Sequence, residues 1–131
     1  MPLSPREVAL QVIDGIVHKK WGELARFYAE HTVVQHPFAM PSPSRLDGRD
    51  ALRAHFEHAA ALPIELEARN IVVHETADPE VIVVEYEYHG KVTTTGRAFV
   101  VGNIFVWRVR DGQIVEARDY ANHRAFAEAL G

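Results

Sequence analysis

The sequence has no cysteine. That excludes a disulfide framework, a zinc ribbon and a thiol nucleophile. No apolar run approaches the roughly 18 residues a helical membrane span needs. There is no basic excess: 14 Lys and Arg against 18 Asp and Glu leave a net charge of −4, which gives no reason to expect nucleic acid or an anionic membrane surface as a partner. The start, MPLSPREVALQV, lacks a basic region followed by an apolar run, so no signal peptide is expected and the default compartment is cytoplasmic. Internal repeats and low-complexity segments are missing too. What is present is ordinary for a soluble globular protein: 47% hydrophobic and 24% charged residues over 131 positions, enough chain for one domain spanning 1–131 with a real core.

The most informative stretch is GNIFVWRVRDGQIVEARDYANHRAF, Gly102 to Phe126. Two β-prone runs flank Asp111-Gly112, a dipeptide suited to a tight hairpin turn because both central residues need positive φ. Strict alternation on the second run puts Val115, Ala117, Asp119 and Ala121 on one face, and Glu116, Arg118 and Tyr120 on the other. The first set is small and apolar except for one carboxylate. Small side chains on a concave sheet leave room, so Asp119 is expected in a ligand pocket.

Ser4-Pro5-Arg6-Glu7 opens the chain as a capping box with proline in the first helical turn. Ala9, Val12, Ile13, Ile16 and Val17 make its apolar face, and His18-Lys19-Lys20 close it. A second helix is expected to carry Trp21, Leu24, Phe27, Tyr28 and His31 on one face. Thr32 to His36 reads as a short strand with Val34 and His36 on the same side. The proline-rich segment PFAMPSPSRLDG then reads as a long loop, a pocket rim or lid. Asp47 is expected to cap a third helix whose stripe is Leu52, Phe56 and Ala59, with His55 at its edge.

After Pro63 the rhythm changes to period two. Ile64, Leu66 and Ala68 share a face, and the phase breaks at Asn70-Ile71, which predicts a bulge. Ile82, Val84, Tyr86 and Tyr88 share the inner face of the next strand. His89-Gly90 is expected to interrupt it, and a further strand to run from Lys91 through Gly96 to Arg110. Residues from Ala121 to Leu130 read as a last helical turn or a short tail. Helices first and strands after argue an α+β fold, with a curved, mainly antiparallel sheet wrapping three N-terminal helices.

Three stretches carry a resemblance to a known family: FYAEHTVVQHP, LDGRDALRAHF and DGQIVEARDYANHRAF. On them the chain resembles the nuclear transport factor 2 superfamily, in the branch of ketosteroid isomerase, SnoaL-like polyketide cyclases and limonene epoxide hydrolase. The resemblance covers roughly Val8 to Phe126. It implies a cone with a central pocket, chemistry without metal or cofactor, a small hydrophobic molecule as partner, and a homodimer formed through the outer sheet face. Against ketosteroid isomerase, a carboxylate base is replaced by His36. The tyrosine and the protonated aspartate of its oxyanion hole fall at Val12 and Asn103. Against limonene epoxide hydrolase, the water-activating aspartate falls at Asp119, and its asparagine and tyrosine at His36 and Val34. Its arginine and second aspartate fall at Val84 and Tyr86. Neither known catalytic set is therefore complete.

What remains is His36 and Asp119 facing one cavity from opposite walls, with Asn103 and Tyr86 as polar companions. An imidazole beside a carboxylate is a general base with its orienting partner. The pair is expected to abstract a proton next to a carbonyl, or to activate water, in isomerase, cyclase or hydrolase chemistry. Asn103 would polarise the carbonyl. Which of His36 and Asp119 takes the proton stays open. The pocket is expected to be lined by Val12, Ile16, Trp21, Tyr28 and Phe56 from the helices, Phe38 and Met40 from the loop, and Val84, Tyr86, Phe105 and Ala117 from the strands. His55 and His58 could share a metal geometrically, but no further ligand completes a set in the sequence, and none is expected. Two other readings stand beside the enzyme: a non-catalytic binding module for an apolar metabolite, and a dimerisation module. In the structural alternative, Asp119 caps the tail, His36 is a core histidine and Asn103 sits bonded at a bulge beside Gly102.

Overall fold

A computed structural model describes residues 2–131. Helix α1, Pro5–Val17, begins at the expected capping box: the Glu7 amide donates to Ser4 Oγ, and the Ser4 amide donates to Glu7 Oε1. Its buried face is Val8, Ala9, Val12 and Ile13. Helix α2 is short, Trp21–Leu24, and a 3₁₀ turn, Ala25–Phe27, delivers the chain into strand β1, Tyr28–His36. Tyr28 and His31 therefore lie on a strand, not on the second helix. Tyr28 is already extended and pairs with Ile114. A run of aromatic and β-branched residues beside an open sheet edge gains more from strand pairing than from another helical turn.

The proline-rich segment is not all loop. Ser44–Asp47 forms β2, antiparallel to β1, with His36 opposite Ser44 and Val33 opposite Asp47. Asp47 is thus spent on the strand, where it accepts from Arg45. Gly48, not Asp47, is the N-cap of α3, Arg49–Ala60, and no side chain caps that helix.

Strands β3, Ile64–Glu75, β4, Val81–Val92, β5, Ala98–Arg110, and β6, Gln113–Ala121, complete a six-stranded sheet in the order β2-β1-β6-β5-β4-β3. Every neighbouring pair is antiparallel except β1 with β6. The bulge in β3 falls where the phase break predicted it, with a register shift between Arg69 and Val72 and Asn70 at φ +57°. His89-Gly90 does not interrupt β4. Gly90 stays paired with Phe99, and the missing Cβ leaves space that the Phe99 ring and Leu66 occupy. Gly96 belongs to the β4–β5 turn rather than to a strand, at φ +75°. The Asp111-Gly112 turn is as expected, with φ of +52° and +77°.

One further irregularity resets a face. The β5–β6 register shifts between Arg108 and Val109, so Val109 pairs with Ile114 while Arg108 pairs with Glu116. Ile114 is fully buried, and Val115 is only partly so. Val115 therefore does not join Ala117, Asp119 and Ala121 on the inner face; Ile114 fills the core at that end. The tail forms α4, His123–Leu130, capped by Asn122, whose side chain accepts from the Ala125 amide. Together these elements make an α+β cone: helices α1, α2 and α3 close the concave side of the curved sheet, and one core cluster joins Val8, Val12, Leu24 and Leu52 to Val84, Trp107 and Ile114. Among the described residues, no helix is long and apolar enough to cross a membrane.

Candidate active site

Between the helices and the concave sheet lies a cavity of about 350 Å³. Its apolar wall comes from Val12 and Ile16 on α1, Trp21 on α2, Tyr28 on β1, Phe56 on α3 and Phe105 on β5. Tyr86 and Tyr88 on β4 add two hydroxyls. Polar groups gather at the other end: His36, Ser44, His55, His58, Asp119 and His123.

His36 and Asp119 come together, but not from opposite walls. The parallel β1–β6 pairing sets Gln35 beside Arg118. One position on, His36 and Asp119 are neighbours on the inner face, with His36 Nε2 3.8 Å from Asp119 Oδ2. The two carboxylate oxygens differ. Trp107 Nε1 donates to Oδ1 at 2.7 Å, while Oδ2 faces His36. Trp107 is itself held by its stack on Phe105, with ring centroids 3.8 Å apart.

Burial raises the Asp119 carboxyl to about 6, and the Trp107 hydrogen bond holds it from going higher. Burial lowers His36 to about 4, helped by repulsion from His55 and His123. Near neutral pH the pair is therefore an ionised carboxylate beside a neutral imidazole, and the carboxylate is the stronger base of the two. Burial also drives Tyr28, Tyr86 and Tyr88 upward, and the Asp119 charge adds to it. All three stay protonated. Tyr86 donates to the Tyr88 hydroxyl at 3.2 Å, which leaves the Tyr88 proton free to be given into the cavity.

Asn103 shares the inner face of β5, and its Nδ2 donates to the Val101 carbonyl at 3.1 Å. Val84 and Ala117 are buried in the core beneath the cavity rather than on its surface. Phe38 and Met40 do not line it. They are 64% and 60% exposed, and they border a shallow groove on the outer sheet face. The β1–β2 pairing is the cause: it ties residues 44–47 to the sheet and leaves the preceding turn outside, where the Phe38 ring packs on Tyr120. Asp119 does not cap the tail; Asn122 does.

Sequence reasoning missed Trp107, Tyr88 and His123 as site residues. Trp107 shares alternation with Phe105, and Tyr88 with Tyr86, so period two held both signals. His123 had none, because the tail was ambiguous between turn and helix.

The Trp107 contact carries a prediction. Trp107→Phe keeps an aromatic ring on Phe105 and removes the only hydrogen bond to the carboxylate among the described residues. The Asp119 carboxyl should then titrate above its present value of about 6. Carbon-13 NMR of labelled aspartate, followed against pH, reads this directly; an unmoved or lower midpoint would contradict it.

A family model described as "SnoaL-like domain" matches residues 9–117. An uncharacterized PhzA/B-like protein of Pseudomonas aeruginosa is 32% identical over 126 residues, covering 94% of this chain and 85% of that protein. The crystal structure of a "putative isomerase" from Bacillus subtilis superposes with a TM-score of 0.84 at 27% identity, covering 98% of this chain and 96% of that one. A Catenulispora acidiphila protein of ketosteroid isomerase-like fold, crystallised with trimethylamine, gives a TM-score of 0.78 at 14% identity, over 95% of this chain and 92% of that one; that likeness speaks to the fold alone.

Proposed function

The chain belongs to the SnoaL-like domain family, and from that premise we propose that it is a small-molecule isomerase or cyclase in which Asp119 is the general base. Asp119 Oδ2 removes a proton next to a carbonyl of a small hydrophobic substrate. The Tyr88 hydroxyl donates to the oxygen on which charge then develops. Asp119, now protonated, returns the proton to another carbon of the substrate, while neutral His36 stands 3.8 Å from Oδ2. The observation that carries this reading is a cavity carboxylate with one oxygen anchored by Trp107 and the other facing His36, and burial raises it to about 6. A general base works best with a pKa close to the operating pH. Asn103 gives one N–H to the Val101 carbonyl and keeps the other, so it stands beside Tyr88 as a second donor to that oxygen.

The test needs no natural substrate. In D₂O at pH 7, the protein should speed deuterium exchange at the α-carbons of a bicyclic ketone such as 2-tetralone. The rate should rise with pH through a limb near the Asp119 value of about 6. Affinity for the ketone without any exchange above background would instead favour a binding module.

We further propose that two copies associate through the outer sheet face, where Val72, Val100 and Ile104 stand exposed at 47%, 51% and 41%. Sedimentation should give a dimer, and Ile104→Arg a monomer. A wild-type monomer at micromolar concentration would contradict this.

A further inference from the structure

The proposed base does not use most of the polar end of the cavity. Three imidazoles meet there from three elements: His36 on β1, His55 on α3 and His123 on α4. The His36 ring lies 5.6 Å from that of His55 and 5.9 Å from that of His123, centroid to centroid. Their ring nitrogens are poorly served. His123 Nε2 is the one buried side-chain polar atom among the described residues without a hydrogen-bond partner. His36 Nε2 is 3.8 Å from Asp119, beyond an ordinary hydrogen bond, and its Nδ1 meets Ser44 Oγ at 3.5 Å. A buried polar atom left unpaired costs of the order of 1–3 kcal/mol. The unpaired His123 nitrogen, with two weakly partnered His36 nitrogens beside it on the same cavity, points to a ligand group that supplies several hydrogen bonds at once.

We infer that the ligand is a hydrophobic carboxylic acid, its carboxylate seated among His36, His55 and His123 and its apolar body against Trp21, Tyr28 and Phe56. This deepens the proposed function and rests on reading the cavity as a substrate pocket. The charged or titratable groups lining the cavity are His36 and Tyr28 from β1, His55 and His58 from α3, Tyr86 and Tyr88 from β4, Asp119 and Tyr120 from β6, and His123 from α4. Empty, the site keeps its imidazoles neutral, because desolvation and mutual repulsion lower His36, desolvation and His58 lower His55, and desolvation lowers His123. An arriving anion reverses the balance by favouring the charged imidazolium. Binding of the acid must therefore draw a proton from solution, and this also offsets the repulsion from Asp119.

Calorimetry of the full chain with 2-naphthoate and the uncharged 2-naphthamide, each in Mops and in Tris at pH 7, reads the proton count from the buffer dependence of the heat. The naphthoate should bind with uptake of about one proton, and its affinity should rise about tenfold per unit fall in pH between 8 and 7. The amide should bind with no uptake. Uptake should persist in Asp119→Asn, a variant that should have lost ketone exchange, so this seat and the base reading fail separately. His55→Gln combined with His123→Gln should weaken naphthoate at least tenfold and leave the amide's affinity in place. The proposal is overturned by naphthoate that does not bind up to its solubility, by equal uptake with both ligands, by uptake lost in Asp119→Asn, or by a naphthoate affinity that the histidine changes leave untouched.

Discussion

Asp119→Asn should reduce ketone exchange by a factor of about 10²–10⁴, the range expected when a positioned general base is removed. The same substitution should make the protein more stable at pH 7 to 8. The folded carboxyl titrates at about 6 against a reference of 3.8, so the native state holds this proton more tightly than the unfolded chain does. The favourable contribution is complete below the unfolded value and is lost as pH rises through the folded one. The cost of keeping the ionised group at neutral pH is about 3 kcal/mol, taking 1.36 kcal/mol per unit. Asparagine removes that charge and still offers an oxygen to Trp107 Nε1. Thermal melts at pH 7.5 should place the variant higher by on the order of 10 °C, and the two proteins should converge below pH 4. A variant that is inactive and also less stable at pH 7.5 would mean that the carboxylate serves the fold and not the chemistry. His36 acts in the opposite direction. Its folded value is depressed to about 4 from 6.5, so its contribution is complete above the unfolded value and is lost as pH falls through the folded one. The two effects oppose each other between about pH 4 and 6, and wild-type stability should vary little there.

The second large effect concerns the core and separates two readings of β6. Strict alternation from Asp119 back to the hairpin makes Val115 an inward residue and leaves Ile114 outside. The register shift opposite Val109 reverses this. Ile114→Ala should cost about 2–5 kcal/mol, because it removes a fully buried side chain and leaves a cavity that closely packed neighbours cannot close. Val115→Ala should cost about 1 kcal/mol or less, a matter mainly of strand preference at a partly buried position. Urea titrations of the two variants give the comparison. Equal losses, or a greater loss at Val115, would make Val115 the inward residue and remove the bulge opposite Val109.

Much of the architecture was legible because its signals are local. The Ser4–Glu7 capping box, the Asp111-Gly112 turn and the inner face Ile82, Val84, Tyr86 and Tyr88 all depend on residues within a few positions of each other. The errors share a different character. Tyr28 and His31 fit a helical face, and only pairing with β6 makes them strand. Asp47 is a good cap by type, but β2 recruits it first. Phe38 and Met40 have the chemistry of a pocket rim, yet β2 anchors the chain so that they stand outside. Gly90 looks like a break, and only the ring of Phe99 explains why it is not one.

From the sequence alone came a curved sheet on helices, a greasy hollow, and a carboxylate on a strand of small residues, since residue type and period already encode burial. Tertiary structure decided what that carboxylate can do. Parallel pairing of the first and last strands sets His36 beside it, the neighbouring strand brings Trp107 to one oxygen, and the tail helix adds His123. These contacts join segments far apart in the chain, where no periodicity or turn signal fixes register. The protonation of Asp119 then follows from desolvation, which is a property of the enclosure as a whole and of no single stretch of sequence.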